Sequence, residues 1–269
     1  LLKKLSGLPV SLNRNLAMNM LYIAPPIFFV IAFIFSMLGM GGSQLYIPIL
    51  YWLGMDFKTE AIPLGMLLNV VNSSSAAITY GRKKLIKWGV TIPFAISIIL
   101  FAPLGVWLNV KLPVKPLLVF FAIFTATAAL LMLSGWKPVK GELSKRGRVV
   151  LGLSSGAGLG TVAGLIGRGG GSFIVPLLYI AGLDAKFAAA SSAFIVTCSG
   201  ISSFISHLAT TANPQWPVWI SSVLAVLVGS QLGSRLMAGK MKSQTVKQVF
   251  GWVLLGVAAL IIIKDVILG

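Results

Sequence analysis

A run of glycines just ahead of an apolar helix can do one kind of chemistry without any catalytic side chain: it presents backbone N–H groups. Gly39, Gly41 and Gly42 precede Ser43 and Gln44; Gly167, Gly169, Gly170 and Gly171 precede Ser172. A helix starting at Ser43 or Ser172 leaves its first N–H groups without internal acceptors. These groups carry the positive end of the helix dipole, so an anion is their natural ligand. Glycine suits such a tip because a sharp turn needs positive φ and close backbone approach. Arg168 lies inside the second cluster, where the first has Met40.

Polar residues at helical spacing extend this set. Asn69, Asn72 and Ser73 stand at i, i+3 and i+4, on one helix face. Ser199, Ser202 and Ser203 repeat the spacing, and His207 follows four residues on. Such faces line a polar path or, alternatively, join helices through small polar groups. The two amides weigh more than any single serine, because each needs several partners when buried. Ser191, Ser192 and Thr197 are further polar positions on the second face.

Other chemistries lack their parts. The acids are Asp56, Glu60, Glu142, Asp184 and Asp265; His207 is the sole histidine and Cys198 the sole cysteine. No intramolecular disulfide can form, and no cysteine-based metal site. A hydrolase, metalloenzyme or redox protein needs clustered His, Cys, Asp or Glu. The expectation is therefore no enzyme, no catalytic residue, no metal and no cofactor. No acid falls in the middle of an apolar segment, so no protein carboxylate is expected to relay protons. Asp56 and Asp184 are expected to cap the helices that follow them.

The elements that position these residues must lie in a membrane. The chain has 269 residues, 57% hydrophobic and 10% charged, with a mean hydropathy of +0.94. A soluble surface cannot be this apolar. Apolar segments run roughly Leu21–Leu38, Leu45–Leu53, Ala61–Tyr80, Trp88–Val110, Leu117–Leu133, Val149–Ile166, Phe173–Ala181, Phe187–Leu208, Trp216–Met237 and Val249–Leu268. Several reach the ~20 residues that cross a hydrocarbon core. The net charge of +17 sits mainly between them: Arg82 to Lys87, Lys137 to Arg148 and Arg235 to Lys247. Basic loops favour the cytoplasmic side and its anionic lipids, so the charge implies membrane lipids as partners and no nucleic acid. Arg168 is then either a functional charge at membrane depth or a side chain snorkelling to the interface.

Shifting the sequence by 128 residues lays "GMGGSQLYIPILYWLGMDFK" on "GRGGGSFIVPLLYIAGLDAK". Pro48 meets Pro176, Tyr51 meets Tyr179, Asp56 meets Asp184, Trp88 meets Trp216 and Gly105 meets Gly233. Chance does not align these residue types over a whole half, so the chain reads as a duplicated unit. Residues 1–134 form the first repeat, 135–148 a basic cytoplasmic linker, and 149–269 the second repeat. Leu45–Gly54 is about 15 Å long as a helix, half of the ~30 Å core. Each repeat then opens with a Gly-tipped broken-helix hairpin, with Pro25-Pro26 starting its first arm, and continues with three transmembrane helices. That odd count makes the halves inverted. If Leu21–Leu38 crosses fully and Leu45–Leu53 only dips, they are parallel; Lys and Arg per side do not separate the two, and the short segments favour inversion. The fold class is all-α, a polytopic membrane protein. Duplicated halves with Gly-interrupted segments at matching places point to secondary transporters and to their site.

At the duplicated "GMGGSQLYIP" and "GRGGGSFIVP", each followed by Gly and an acid (Gly54/Asp56 and Gly182/Asp184), the sequence resembles the TauE/SafE family of sulfite-exporter-like permeases, over nearly its whole length. The first copy departs from the fuller glycine run at Met40 and Ser43. The resemblance implies transport of a sulfur-containing anion, of the sulfite, sulfonate or sulfoacetate type, across a bacterial or archaeal plasma membrane. The expected function is a secondary transporter of such an anion. A membrane scaffold or assembly subunit, which uses the glycines for packing, and an anion channel are the alternatives. There is no P-loop to couple ATP.

Overall fold

The computed structural model describes residues 10–111, 145–166, 171–180, 182–208, 214–261 and 263, with scattered positions between 119 and 134. Nine helices are described in this set: α1 Val10–Leu38, α2 Ser43–Trp52, α3 Ile62–Arg82, α4 Trp88–Lys111, α5 Lys145–Ile166, α6 Gly171–Ile180, α7 Ala185–Leu208, α8 Trp216–Lys240 and α9 Ser243–Ile261. Among the described residues, five stretches are long and apolar enough to cross a membrane: Leu21–Leu38, Phe57–Arg82, Trp88–Leu108, Ala185–Leu208 and Trp216–Lys240. Large apolar side chains along them face outward, as lipid requires. Ile92, Ile96 and Leu100 on α4, and Ile220, Leu224 and Val228 on α8, are all exposed.

α1 differs from expectation at its start. It does not begin at Pro25-Pro26 but runs through both prolines from Val10. Ending the helix there would free more backbone groups than the two donors the prolines lack, and hydrocarbon offers no replacement partners. α2 begins at Ser43 as expected, while α6 begins one residue early, at Gly171.

A wide π-helical turn, Phe57–Ala61, leads into α3. In this turn Ala61 N donates to Asp56 O at 2.9 Å, one residue further back than in an α-helix. Asp56 caps it: its Oδ1 accepts from Lys58 N at 3.1 Å and Thr59 N at 2.9 Å. Glu60 Oε2, four residues on, accepts in return from Asp56 N at 3.0 Å, a reciprocal arrangement one residue wider than a capping box. Asp184 stands one residue before α7, and its backbone carbonyl accepts from Ala188 N at 2.8 Å. At the start of α7, Lys186 Nζ donates to Ala238 O at 3.0 Å and Met241 O at 3.2 Å. That places a cation on carbonyls at the negative end of α8.

Small residues set the closest helix pairs, and their order gives the directions. A methyl on Gly229 of α8 would run into Phe29 O of α1, and one on Gly233 into Phe33 O. Rising numbers pair with rising numbers, so α1 and α8 are parallel. Hydroxyls and an amide of α8 mark the same for α3. Ser230 Oγ donates to Asn72 O at 2.8 Å, Gln231 Nε2 to Ser75 Oγ at 2.6 Å, and Ser234 Oγ to Thr79 Oγ1 at 3.2 Å. Gly152, Gly156 and Gly160 of α5 lie in turn against Pro93, Ser97 and Phe101 of α4, again in parallel. Trp88 against Phe194 and Ser202 against Ile99 make α7 parallel to α4. Asn69 meets Gly200 while Lys87 N donates to Ser191 Oγ at 3.0 Å, so α3 and α7 are antiparallel. Two sets result: α1, α3 and α8 run one way, and α4, α5 and α7 run the other.

Candidate functional site

The turn between α1 and α2 has Gly39, Gly41 and Gly42 at φ 68, 78 and 93. A side chain at Gly41 would be strained by that φ and would also strike Asn69 Oδ1 and, at 2.8 Å, Val196 Cγ1. Glycine is thus needed there twice over. The turn is held from both sides. Asn72 Nδ2 donates to Gly41 O at 2.7 Å, and Asn69 Oδ1 accepts from Ser43 N in a long 3.4 Å contact. From α7, Ser192 Oγ donates to Gly39 O at 2.9 Å.

The start of α6 adjoins this turn. A methyl on Gly171 would lie 2.5 Å from Met40 O and 2.6 Å from Met40 Cα. The first residue of one short helix therefore touches the turn that starts the other. Gly167, Arg168, Gly169 and Gly170 lie outside the described residues, as does the side chain of Ser172.

Most of the other expected positions are buried. Ser43, Gln44, Asn69, Asn72 and Ser73 are all buried, as are Ser199, Ser203 and His207. Ala189, Ser192, Val196, Ser199, Ser203 and His207 form one continuous face of α7. It starts against the glycine turn and leads away from it. Ser202 does not join this face: it is half-buried, and its hydroxyl donates to Ile99 O of α4 at 3.0 Å. Ser73 donates to Asn69 O in its own helix at 2.7 Å. These two hydroxyls join backbone rather than lining a path.

Among the described residues, several buried side-chain atoms have no hydrogen-bond partner. At the glycine turn and along the α7 face they include Gln44 Nε2 and Oε1, Asn69 Nδ2, Asn72 Oδ1, Ser199 Oγ and Ser203 Oγ; Gln215 Oε1 and Ser222 Oγ, before and within α8, share the condition. Tyr46 Oη joins them; sequence reasoning missed it, although it stands four residues after Gly42 and its ring fills the space where a Gly42 side chain would go. An unpaired buried polar group costs about 1–3 kcal/mol. Six side chains at the glycine turn, or on the α7 face leading from it, share that condition, so their polar atoms are open to a further partner. Among the described residues, no Asp, Glu, Lys or Arg is buried. The described part of this region offers amides, hydroxyls and a helix N-terminus rather than charged side chains. Among the described residues, no cluster of His, Cys, Asp and Glu is arranged for a metal ion.

Apolar helices of membrane-spanning length, packed through small residues, with buried polar atoms gathered at a break between helices, define a multi-pass membrane protein. The chain belongs to the sulfite exporter TauE/SafE family, which it matches over residues 25–261, a family of membrane transporters. A probable membrane transporter protein of Xylella fastidiosa is 29% identical over 241 residues, covering 86% of this chain and 91% of its own length. One from Methanocaldococcus jannaschii is 25% identical over 77% of this chain and 83% of its own length. A third, from Bacillus subtilis, is 22% identical over 86% and 93%. No solved structure matches the chain.

Proposed function

We propose that this protein is a secondary transporter of a small anion, of the sulfite, sulfonate or sulfoacetate type. The anion binds where the starts of α2 and α6 adjoin, near the middle of the bilayer. The observation that carries this reading is the set of unpartnered buried donors at the glycine turn. Asn69 Nδ2, Ser199 Oγ and Ser203 Oγ lie beside, or on a helix face leading from, an N-terminal turn whose dipole favours negative charge. Arg168, by its place in the second glycine cluster, adds a cation. The family match favours a sulfur-containing anion.

The site follows from an inverted duplication, with 1–134 and 149–269 as its halves. The 128-residue register pairs α1 with α5, α3 with α7 and α4 with α8, and the members of each pair run in opposite directions. Halves that face each other in this way have two equivalent openings, one per side, which is the basis of alternating access. The basic linker 135–148 lies in the cytoplasm of a bacterium or archaeon, and the protein in its plasma membrane.

Two measurements test the reading. Purified protein is screened by thermal shift against sulfite, sulfate, thiosulfate, sulfoacetate and taurine. Anions that raise the melting temperature are then tested for counterflow in proteoliposomes. Exchange of labelled anion is expected. Current without exchange would make the protein a channel, and neither binding nor exchange would leave a scaffold.

A further inference from the structure

The two asparagines at the glycine turn are fixed in opposite senses. Asn69 spends Oδ1 on Ser43 N, so Nδ2, a donor, is its free end. Asn72 spends Nδ2 on Gly41 O, so Oδ1, an acceptor, is its free end. Neither amide can be flipped without losing its bond to the turn. Gln44, one residue into α2 from Ser43 and 1% exposed, adds one further donor and one further acceptor, both unpartnered. Donors alone suit a bare oxyanion. Acceptors do not: a carbonyl oxygen facing an anionic oxygen without a proton between them is repelled and stays unsatisfied.

Resting on the anion-transport reading above, we infer that the ligand is an anion that also carries a hydrogen-bond donor. It is a protonated oxyanion, or a sulfonate bearing O–H or N–H, and Asn72 Oδ1 or Gln44 Oε1 accepts from it. The dipole end of α2, Asn69 Nδ2 and the α7 hydroxyls take the charged oxygens. A donor-free anion of the same shape binds more weakly, because those acceptors stay unsatisfied. Sites built to hydrogen-bond a substrate hydroxyl reject analogues lacking it much more strongly than apolar pockets reject a change of size.

Two matched pairs of probes test this at one pH. Isethionate and ethanesulfonate share the sulfonate, and only the first has O–H. Hydrogen phosphate and sulfate share the tetrahedron, and only the first has O–H. Binding to purified protein is measured by calorimetry, with wild type and Gln44→Met. In each pair that binds, the O–H member is expected to bind at least about tenfold tighter, one satisfied hydrogen bond's worth. Gln44→Met keeps the volume and removes both amide atoms, so it should reduce that ratio. It should not lower the melting temperature of the ligand-free protein, because an unpartnered buried amide is being replaced by an apolar chain. Equal affinities within a pair, or tighter binding of the donor-free member, would overturn the inference and leave the anion site standing. A lower melting temperature with an unchanged ratio would make Gln44 a packing residue and overturn its role. No binding by any of the four, or by the anions of the wider screen, would overturn both readings.

Discussion

Gly171→Ala is the sharpest probe of the contact between the two short helices. The new methyl would lie 2.5 Å from Met40 O, 2.6 Å from Met40 Cα and 2.8 Å from Met40 C, against 3.4 Å or more in ordinary contact. All three are backbone atoms, so no side chain can swing aside. Relief requires the start of α6 and the glycine turn to separate by about 0.9 Å, from 2.5 to 3.4 Å. Overpacking of this kind costs roughly 1–3 kcal/mol, offset in part by the roughly 0.5–1 kcal/mol that alanine gains over glycine in a helix. A shift near 1 Å at a converging site is also enough to cost about 10²-fold in function. Gly158→Ala supplies the control: Gly158 is inside α5 with nothing within 4 Å of a new Cβ, so it shows the helix gain alone. Thermal unfolding in detergent and anion exchange in proteoliposomes are read for both variants. Gly171→Ala should melt lower and exchange at least about tenfold more slowly, and Gly158→Ala should do neither. If Gly171→Ala melts and exchanges like wild type, the two helix starts are not in contact and the site cannot lie between them.

Asn72→Leu removes the 2.7 Å bond to Gly41 O and leaves that carbonyl unpaired. It should lower stability by about 1–3 kcal/mol, seen as reduced detergent-solubilised melting temperature, and abolish exchange. Ser202→Ala and Ser199→Ala should separate cleanly by binding calorimetry and thermal shift. The first loses a bond to Ile99 O, worth about 0.6 kcal/mol between membrane helices, and keeps anion affinity; the second keeps stability and loses affinity. A cysteine replacing Ser144 in the basic linker should resist an impermeant thiol reagent added outside intact cells, and ready labelling would reverse the orientation.

The sequence by itself determined the membrane class, the approximate extent of most long helices and the position of the first glycine turn. These are local properties. Apolar length marks the crossings. Trp88 and Trp216 begin helices where charge and proline give way to apolar residues. The first glycine cluster announces a turn because few other residues tolerate positive φ. The even spacing of Asn69 and Asn72 likewise put both amides on one face without any knowledge of what they touch. Tertiary structure alone decided the rest. Ser199 and Ser202 are equivalent by type and nearly so by spacing. Only the position of α4 makes Ser202 an inter-helix link and leaves Ser199 buried with its hydroxyl unpartnered. Pro25-Pro26 reads as a helix start by local rules, yet α1 continues through it, because hydrocarbon penalises a broken backbone more than two missing donors. Nor could any local pattern reveal that α1 packs on α8 and α4 on α5. Those pairings join residues some two hundred and some sixty positions apart, where glycines on one helix meet carbonyls and small side chains of another. The free ends of Asn69 and Asn72 were decided last and most indirectly. Each amide spends one end on the glycine turn, and which end it spends depends on whether a backbone N–H or a carbonyl happens to face it.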